Sequence, residues 1–183
     1  MDFNGENKRK ILDNVYDAKC YKDRIYYSAI KTGQKSGAAG NWETLKSVDI
    51  NGKNEKIINN VSQCWSFVLY NYSGKDFLCI ADDNILKQYS LDGKLIQEIK
   101  FQHINSMVEI NNNIYLTDSS SEQSSLYVID KQKLKYKKIA NLTGKLINTN
   151  QQIFGELYEG AAGYSNKKWY LIDGDSYTKL NTN

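Results

Sequence analysis

LKSVDINGKNEKII, Leu45 to Ile58, is the stretch whose reading decides the fold: an alternating polar and apolar segment, an Asn-Gly step, and a second short segment ending on two isoleucines. Asn and Gly accept the positive φ angles of a tight primed turn, so the stretch predicts a β-hairpin turning on Asn51 and Gly52. The pattern returns along the chain. DFNGENKRKIL begins at Asp2, YSLDGKLIQEI at Tyr89, YVIDKQKLKYKKI at Tyr127 and YLIDGDSYTKL at Tyr170. Aligned on the end of the first strand of each hairpin, the markers are Asp2, Asp49, Ser90, Asp130 and Asp173, separated by 47, 41, 40 and 43 residues. Short strands repeating every roughly 40–45 residues belong to blade-type architectures.

Working outward, residues 1–14 read as the tail of a repeat, with four units behind them at 15–60, 61–101, 102–141 and 142–183. Each unit divides into up to four short strands. The second contains WSFVLYNY, Trp65 to Tyr72, where Trp65, Phe67 and Leu69 alternate with more polar or peripheral positions, the two-residue period of a strand. No long window shows a capped helical period, so the chain reads as all-β. Four-stranded antiparallel sheets of this kind bury their apolar faces against one another, and radial stacking does so while leaving only short edges. The expectation is a single domain, residues 1–183, forming a β-propeller of about four four-stranded antiparallel blades, or part of a larger propeller. The surplus N-terminal strand either completes the last unit or is the remnant of a further blade, completed by another copy of the chain.

The 183 residues are enough to bury a core without disulfides or metals, and 40% hydrophobic and 12% aromatic content is too rich in core formers for a disordered chain. The formal net charge is +3, carried by 22 Lys against only two Arg, Arg9 and Arg24. Phosphate and base recognition favours the guanidinium fork, and these lysines lie among acidic residues, so a solvated surface is expected and nucleic-acid binding is not. Cys20, Cys64 and Cys79 form no CxxC pair and leave one over, which indicates neither a zinc site nor a disulfide framework; they read as small apolar strand residues. No long apolar run and no signal peptide is present, so the chain is expected to be soluble, without membrane insertion.

IYYSAI (Ile25 to Ile30) followed by LKSVDINGKNEKI, and NNNIYLTD followed by SSLYVID (Asn111 to Asp130), resemble the blades of bacterial TolB-like and YWTD-type propellers. KDFLCIADDNILKQYSLDG fits the same template more loosely. The resemblance implies the fold, a binding role rather than catalysis, and an extracellular or cell-surface location. The chain departs from that pattern in blade number and in lacking the YWTD tetrapeptide itself.

In such blades the connections between second and third strands, and those between units, emerge at one end, where loops vary without disturbing the core. That places Lys31–Trp42, Asp82–Asn84, Asp118–Ser125 and Glu159–Lys167 at the expected site, with the crossings that carry Trp65 and His103. Two of these loops share GAAG, at Gly37–Gly40 and Gly160–Gly163, with Trp42 and Trp169 shortly after. Gly permits close backbone approach and Trp offers a stacking surface, so the pair reads either as duplicated flexible turns or as the lips of a groove for sugars or peptides. Candidate ligand-binding residues are Trp42, Trp65, His103, Trp169, Asp82, Asp83, Asp118 and Glu122. The carboxylates among them read as solvated loop charge or as the acid and base of a glycosidase. His103 is the sole histidine, so any Ser-His-Asp triad would run through it, and no GxSxG, P-loop or GxGxxG motif occurs.

The reading is therefore a non-enzymatic binding module for a protein, peptide or glycan, with no cofactor, metal or catalytic residue assigned. The alternatives are a carbohydrate-active hydrolase or lyase using the loop carboxylates, and a structural segment that self-associates to complete a larger propeller.

Overall fold

The computed structural model describes residues 9–30, 42–59, 64, 66–82, 84–111, 113–119, 124–149, 152–158 and 167–180. These form sixteen strands and no helix. The strands group into four four-stranded antiparallel sheets, hereafter blades. The first holds β1 (Val15–Tyr21), β2 (Arg24–Ile30), β3 (Trp42–Asp49) and β4 (Lys56–Asn59). The second holds β5 (Ser66–Tyr72), β6 (Lys75–Asp82), β7 (Ile85–Ser90) and β8 (Leu95–Lys100). The third holds β9 (Ile104–Ile110), β10 (Asn113–Ser119), β11 (Ser124–Asp130) and β12 (Tyr136–Ala140). The fourth holds β13 (Thr143–Thr149), β14 (Gln152–Tyr158), β15 (Lys168–Asp173) and β16 (Ser176–Lys179). Within every blade the strands lie in sequence order. Of residues 1–14, expected as a surplus strand, residues 1–8 with Asp2 lie outside those described, and residues 9–14 form no strand.

The chain divides into two compact units, Met1–Gln63 and Cys64–Asn183. In the larger unit three blades stand side by side, with β9 lying between β5 and β13. Equivalent residues make the inner joints. Ser66 Oγ donates to the Met107 carbonyl across 3.4 Å, and one blade further on the Leu146 N–H donates to Ser106 Oγ at 3.0 Å. Two apolar layers fill the spaces between these blades. Val68, Tyr70 and Leu86 of the second blade meet Met107, Ile114, Leu116 and Ile129 of the third. From the opposite face of the third blade, Tyr115, Leu126 and Val128 meet Leu146, Ile153 and Tyr170 of the fourth. The two-residue period of a strand sends consecutive side chains to the two layers, so the middle blade is apolar on both faces.

That double burial explains a difference from the sequence reading. The alternation expected in WSFVLYNY is absent, because Phe67, Val68, Leu69 and Tyr70 are all buried. Cys79 lies in the core as expected, whereas Cys20 on β1 is exposed. The smaller unit builds its core from Tyr27, Ala29 and Val48, with Leu12, Val15 and Ile25 packed around them.

The marker residues Asp49, Ser90, Asp130 and Asp173 each end the third strand of their blade. Asp49 Oδ1 accepts the N–H groups of Asn51 and Lys53, both at 2.9 Å, and Asp130 Oδ1 accepts those of Gln132 and Lys133 at 3.0 and 2.8 Å. An Asp side chain standing in for a backbone acceptor is what nucleates such turns. The predicted two-residue primed turn at Asn51-Gly52 is corrected. The Gly52 N–H closes a β-turn onto the Asp49 carbonyl at 2.9 Å, the Asp49 N–H bonds the Lys53 carbonyl at 2.8 Å, and within the loop Ile50-Asn51-Gly52 only Gly52 takes positive φ, +79°. This is a three-residue hairpin with glycine in the left-handed position. A Cβ on Gly52 would also stand 3.0 Å from the Ile11 carbonyl oxygen.

Candidate functional site

Antiparallel order gives each blade two ends. At the hairpin end lie the links from first to second strand and from third to fourth; at the crossing end lie the links from second to third strand and the passages between blades. The links from first to second strand are two residues long in all four blades, 22–23, 73–74, 111–112 and 150–151. Those from second to third strand run to eleven, two, four and nine residues, 31–41, 83–84, 120–123 and 159–167. The links from third to fourth strand, 50–55, 91–94, 131–135 and 174–175, are six, four, five and two residues long, so the widest variation in length falls at the crossing end, where the sequence predicts the site.

Asp118, at the end of β10, is only 4% exposed. Its two carboxylate oxygens accept the backbone N–H groups of Gln102 and His103, each at 2.9 Å, and the Ser119 N–H returns a bond to the His103 carbonyl at 2.9 Å. The carboxylate thereby staples the passage from the second to the third blade onto β10. The His103 side chain stands exposed at the end of that passage. Asp82 occupies the position equivalent to Asp118 at the end of β6, and forms an ion pair with Lys87 at 2.5 Å. The hydrogen bond from Lys87 to Asp82 raises the lysine pKa above its usual range. Both described carboxylates of the candidate set are therefore engaged within the blade or its crossing.

Trp169 lies on β15, opposite Glu156 of β14, and is half-buried. Glu156 pairs with Lys167 at 3.1 Å, so a cation, a carboxylate and an indole come together at the crossing end of the fourth blade. Trp42 is the first residue of β3, with its backbone opposite Ile30. Trp65, Asp83, Glu122, the side chain of Trp42 and both GAAG stretches lie outside the described residues.

Sequence reading missed the polar joint between the third and fourth blades at this end. Asn105 Nδ2 donates to Ser119 Oγ at 2.9 Å and to Thr143 Oγ1 at 2.7 Å, and Thr117 Oγ1 donates to the Gly144 carbonyl at 2.6 Å. Gly144 has φ +142°, and a Cβ there would overlap the Glu156 carbonyl oxygen, so this approach requires glycine. Ser124, at the start of β11, is 4% exposed, and its hydroxyl is the one buried side-chain polar atom without a partner among the described residues. No group of three or more potential metal ligands occurs among the described residues. No helix among them is long and apolar enough to cross a membrane.

A second network missed by the sequence reading lies at the hairpin end between the second and third blades. Lys131, 2% exposed, forms an ion pair with Glu109, donates to the Asn111 carbonyl, and stands 5.0 Å from the Tyr70 ring centroid. Gln88 Nε2 donates to the Tyr70 hydroxyl and, at 3.1 Å, to the Lys131 carbonyl. Burial raises the Tyr70 pKa well above the usual phenol range and pushes the Cys79 thiol up to about 12. These groups are held neutral as parts of a joint.

Side-by-side four-stranded blades with adjacent inner strands define a β-propeller. Among solved structures, the chain is similar to the β-propeller domain of the Trilobed protease from Pyrococcus furiosus, described as having an open velcro topology. The identity is 14% and the TM-score 0.58, covering 95% of this chain and 60% of that one. It is also similar to the computationally designed Ika4 protein, at 12% identity and TM-score 0.48, covering 85% of this chain and 89% of that one. No protein-family model and no curated protein matches the chain. The fold is thus an all-β propeller built of four antiparallel four-stranded blades.

Proposed function

We propose that the chain is a non-enzymatic binding module of the TolB-like or YWTD-like kind, recognising a protein, peptide or glycan through the crossing end of its blades at a cell surface or outside the cell. The observation that carries this reading is the contrast in link length: links at the hairpin end run from two to six residues, whereas those from second to third strand at the crossing end run to eleven, two, four and nine. A scaffold whose widest length variation falls at one end is suited to recognition by loops there. Trp169, flanked by Glu156 and Lys167, supplies an amphipathic contact surface of the sort used for sugar rings and peptide side chains.

Replacing residues 159–167 by Asn-Gly tests the reading on a glycan and peptide array. The expected result is a folded protein that loses retention of whatever the wild type holds. Unchanged retention, or no retention by well-folded wild type, would remove it. Turnover of a polysaccharide by the wild type, lost in Asp82→Asn or Glu122→Gln with binding intact, would instead favour a hydrolase or lyase. That the chain spans 60% of the archaeal propeller domain favours a second reading, as part of a larger propeller completed by self-association. Light scattering of the purified protein distinguishes a monomer from that assembly.

A further inference from the structure

We propose that the outer edge of the third blade is a docking strand for an acidic, extended segment of a partner protein, a surface separate from the crossing-end loops. Among the described residues, strand β12 is the terminal strand of its sheet and pairs with β11 alone. Residues 131–138, the turn leading into β12 and the first three residues of the strand, read KQKLKYKK, five lysines with no acidic residue between them. Two of these cations are already satisfied, Lys131 by Glu109 and Lys137 by Asp175. Lys133, Lys135 and Lys138 are exposed, and no described carboxylate pairs with them. The other outer strands are not like this. β8 carries Glu98 beside Lys100, β4 follows directly on Glu55, and β16 holds a single lysine, Lys179.

Lysines on an edge strand are a common guard against edge-to-edge aggregation, and the guard needs nothing more than charge. Here a rigid aromatic accompanies it. Tyr136 is 51% exposed, yet its ring is held by Phe101 at 5.2 Å and Tyr127 at 5.4 Å between centroids. The register sets Lys138 opposite Tyr127 and Tyr136 opposite Ile129, so Tyr136 and Lys138 lie on the same face of the sheet. A preorganised aromatic anchor beside a cation, on a strand with a free hydrogen-bonding row, is the arrangement that strand addition uses: backbone pairing supplies affinity and alternate side chains supply selectivity. The charge calls for carboxylates. A peptide is favoured over a nucleic acid because a strand edge is complemented by another extended backbone, and because the segment contains no arginine fork for phosphate.

The test is fluorescence polarisation with a labelled ten-residue peptide alternating Glu and Thr. It is compared with the same peptide N-methylated at alternate residues and with a single-stranded oligothymidine of equal charge. Binding to the wild-type chain is expected, weakening at least about tenfold when the backbone is N-methylated and at least about tenfold in the Lys133→Glu, Lys135→Glu, Lys138→Glu variant. No binding, equal binding of the N-methylated peptide, or tighter binding of the oligothymidine would overturn the proposal. The N-methylated arm needs no variant, so the outcome does not depend on how the triple variant folds.

Discussion

At the hairpin end, every first-to-second link is two residues long, and the third strands finish on Asp49, Ser90, Asp130 and Asp173, with Asp49 and Asp130 bonding the turn that follows. At the crossing end, the links from second to third strand range from two residues to eleven, and the passage from the second to the third blade is held by the Asp118 carboxylate on Gln102 and His103. The first arrangement fixes strand register by local backbone bonding, and the second ties a longer connection to a strand end from a distance. The two ends of one sheet thus differ in how far along the chain their fixing bonds reach.

The comparison is sharpened by the fixed positions of the crossing end. Gly144→Ala should be the most damaging substitution, costing about 3 kcal/mol or more in urea unfolding, because a Cβ meets backbone rather than a movable side chain; a loss under about 1 kcal/mol would mean that this joint is not fixed. Next is Lys131→Ala at the hairpin end. It strips the buried joint between the second and third blades of its cation and should cost about 2–3 kcal/mol, less than a fully buried pair because Glu109 is partly exposed. Asp118→Asn keeps one acceptor and loses the charge-assisted second bond, so about 1–2 kcal/mol is expected, measured the same way. Shortening 159–167 to Asn-Gly should change stability by about 1 kcal/mol at most, since loop closure depends only weakly on length. A large loss there would mean that the variable end also carries the fold.

The smallest effect is a pH dependence at the hairpin end, tested in the first blade. Backbone N–H donors, that of Lys53 foremost, hold the Asp49 carboxyl below its usual range, and the Tyr27 hydroxyl does the same for Glu55 at 2.6 Å. Because both folded values are depressed, their contribution is present above the unfolded carboxyl values of about 4 and is lost as pH falls through the lower folded ones. Thermal melts of wild type and Asp49→Asn should therefore differ at pH 6 and converge toward pH 3. A difference that widens with acid would contradict the assignment.

Much of the scaffold was legible because its signals are local. The Asp49 and Asp130 side chains bond the turns that follow them within five residues, so a period of such markers carries the all-β architecture of four antiparallel four-stranded sheets. The Asn51-Gly52 turn was read one residue too short, because the dipeptide suits a primed turn while the Asp49 side chain selects the longer loop. Double-sided burial of Phe67 to Tyr70 was illegible as alternation, since neighbours on each face demand apolar residues at every position. The candidate site was less legible. Asp118 read as solvated loop charge or a ligand-binding carboxylate, and its burial corrects the first: its two partners lie 15 and 16 residues away on a crossing, and nothing local marks the pairing. Lys131 meets Gln88 and Tyr70 across 43 and 61 residues, and a lysine in a charged run gives no sign that it alone is inside.

The contrast between Cys20 and Cys79 provides a built-in clock. A thiol reagent added to native protein should label Cys20, on the surface of the smaller unit, at once, while Cys79, wholly enclosed and with its thiol pushed up to about 12, reacts only when the larger unit opens. The rate of modification at Cys79, followed by mass spectrometry in a Cys64→Ala background because Cys64 is buried too, reports how often three blades come apart without any denaturant being added.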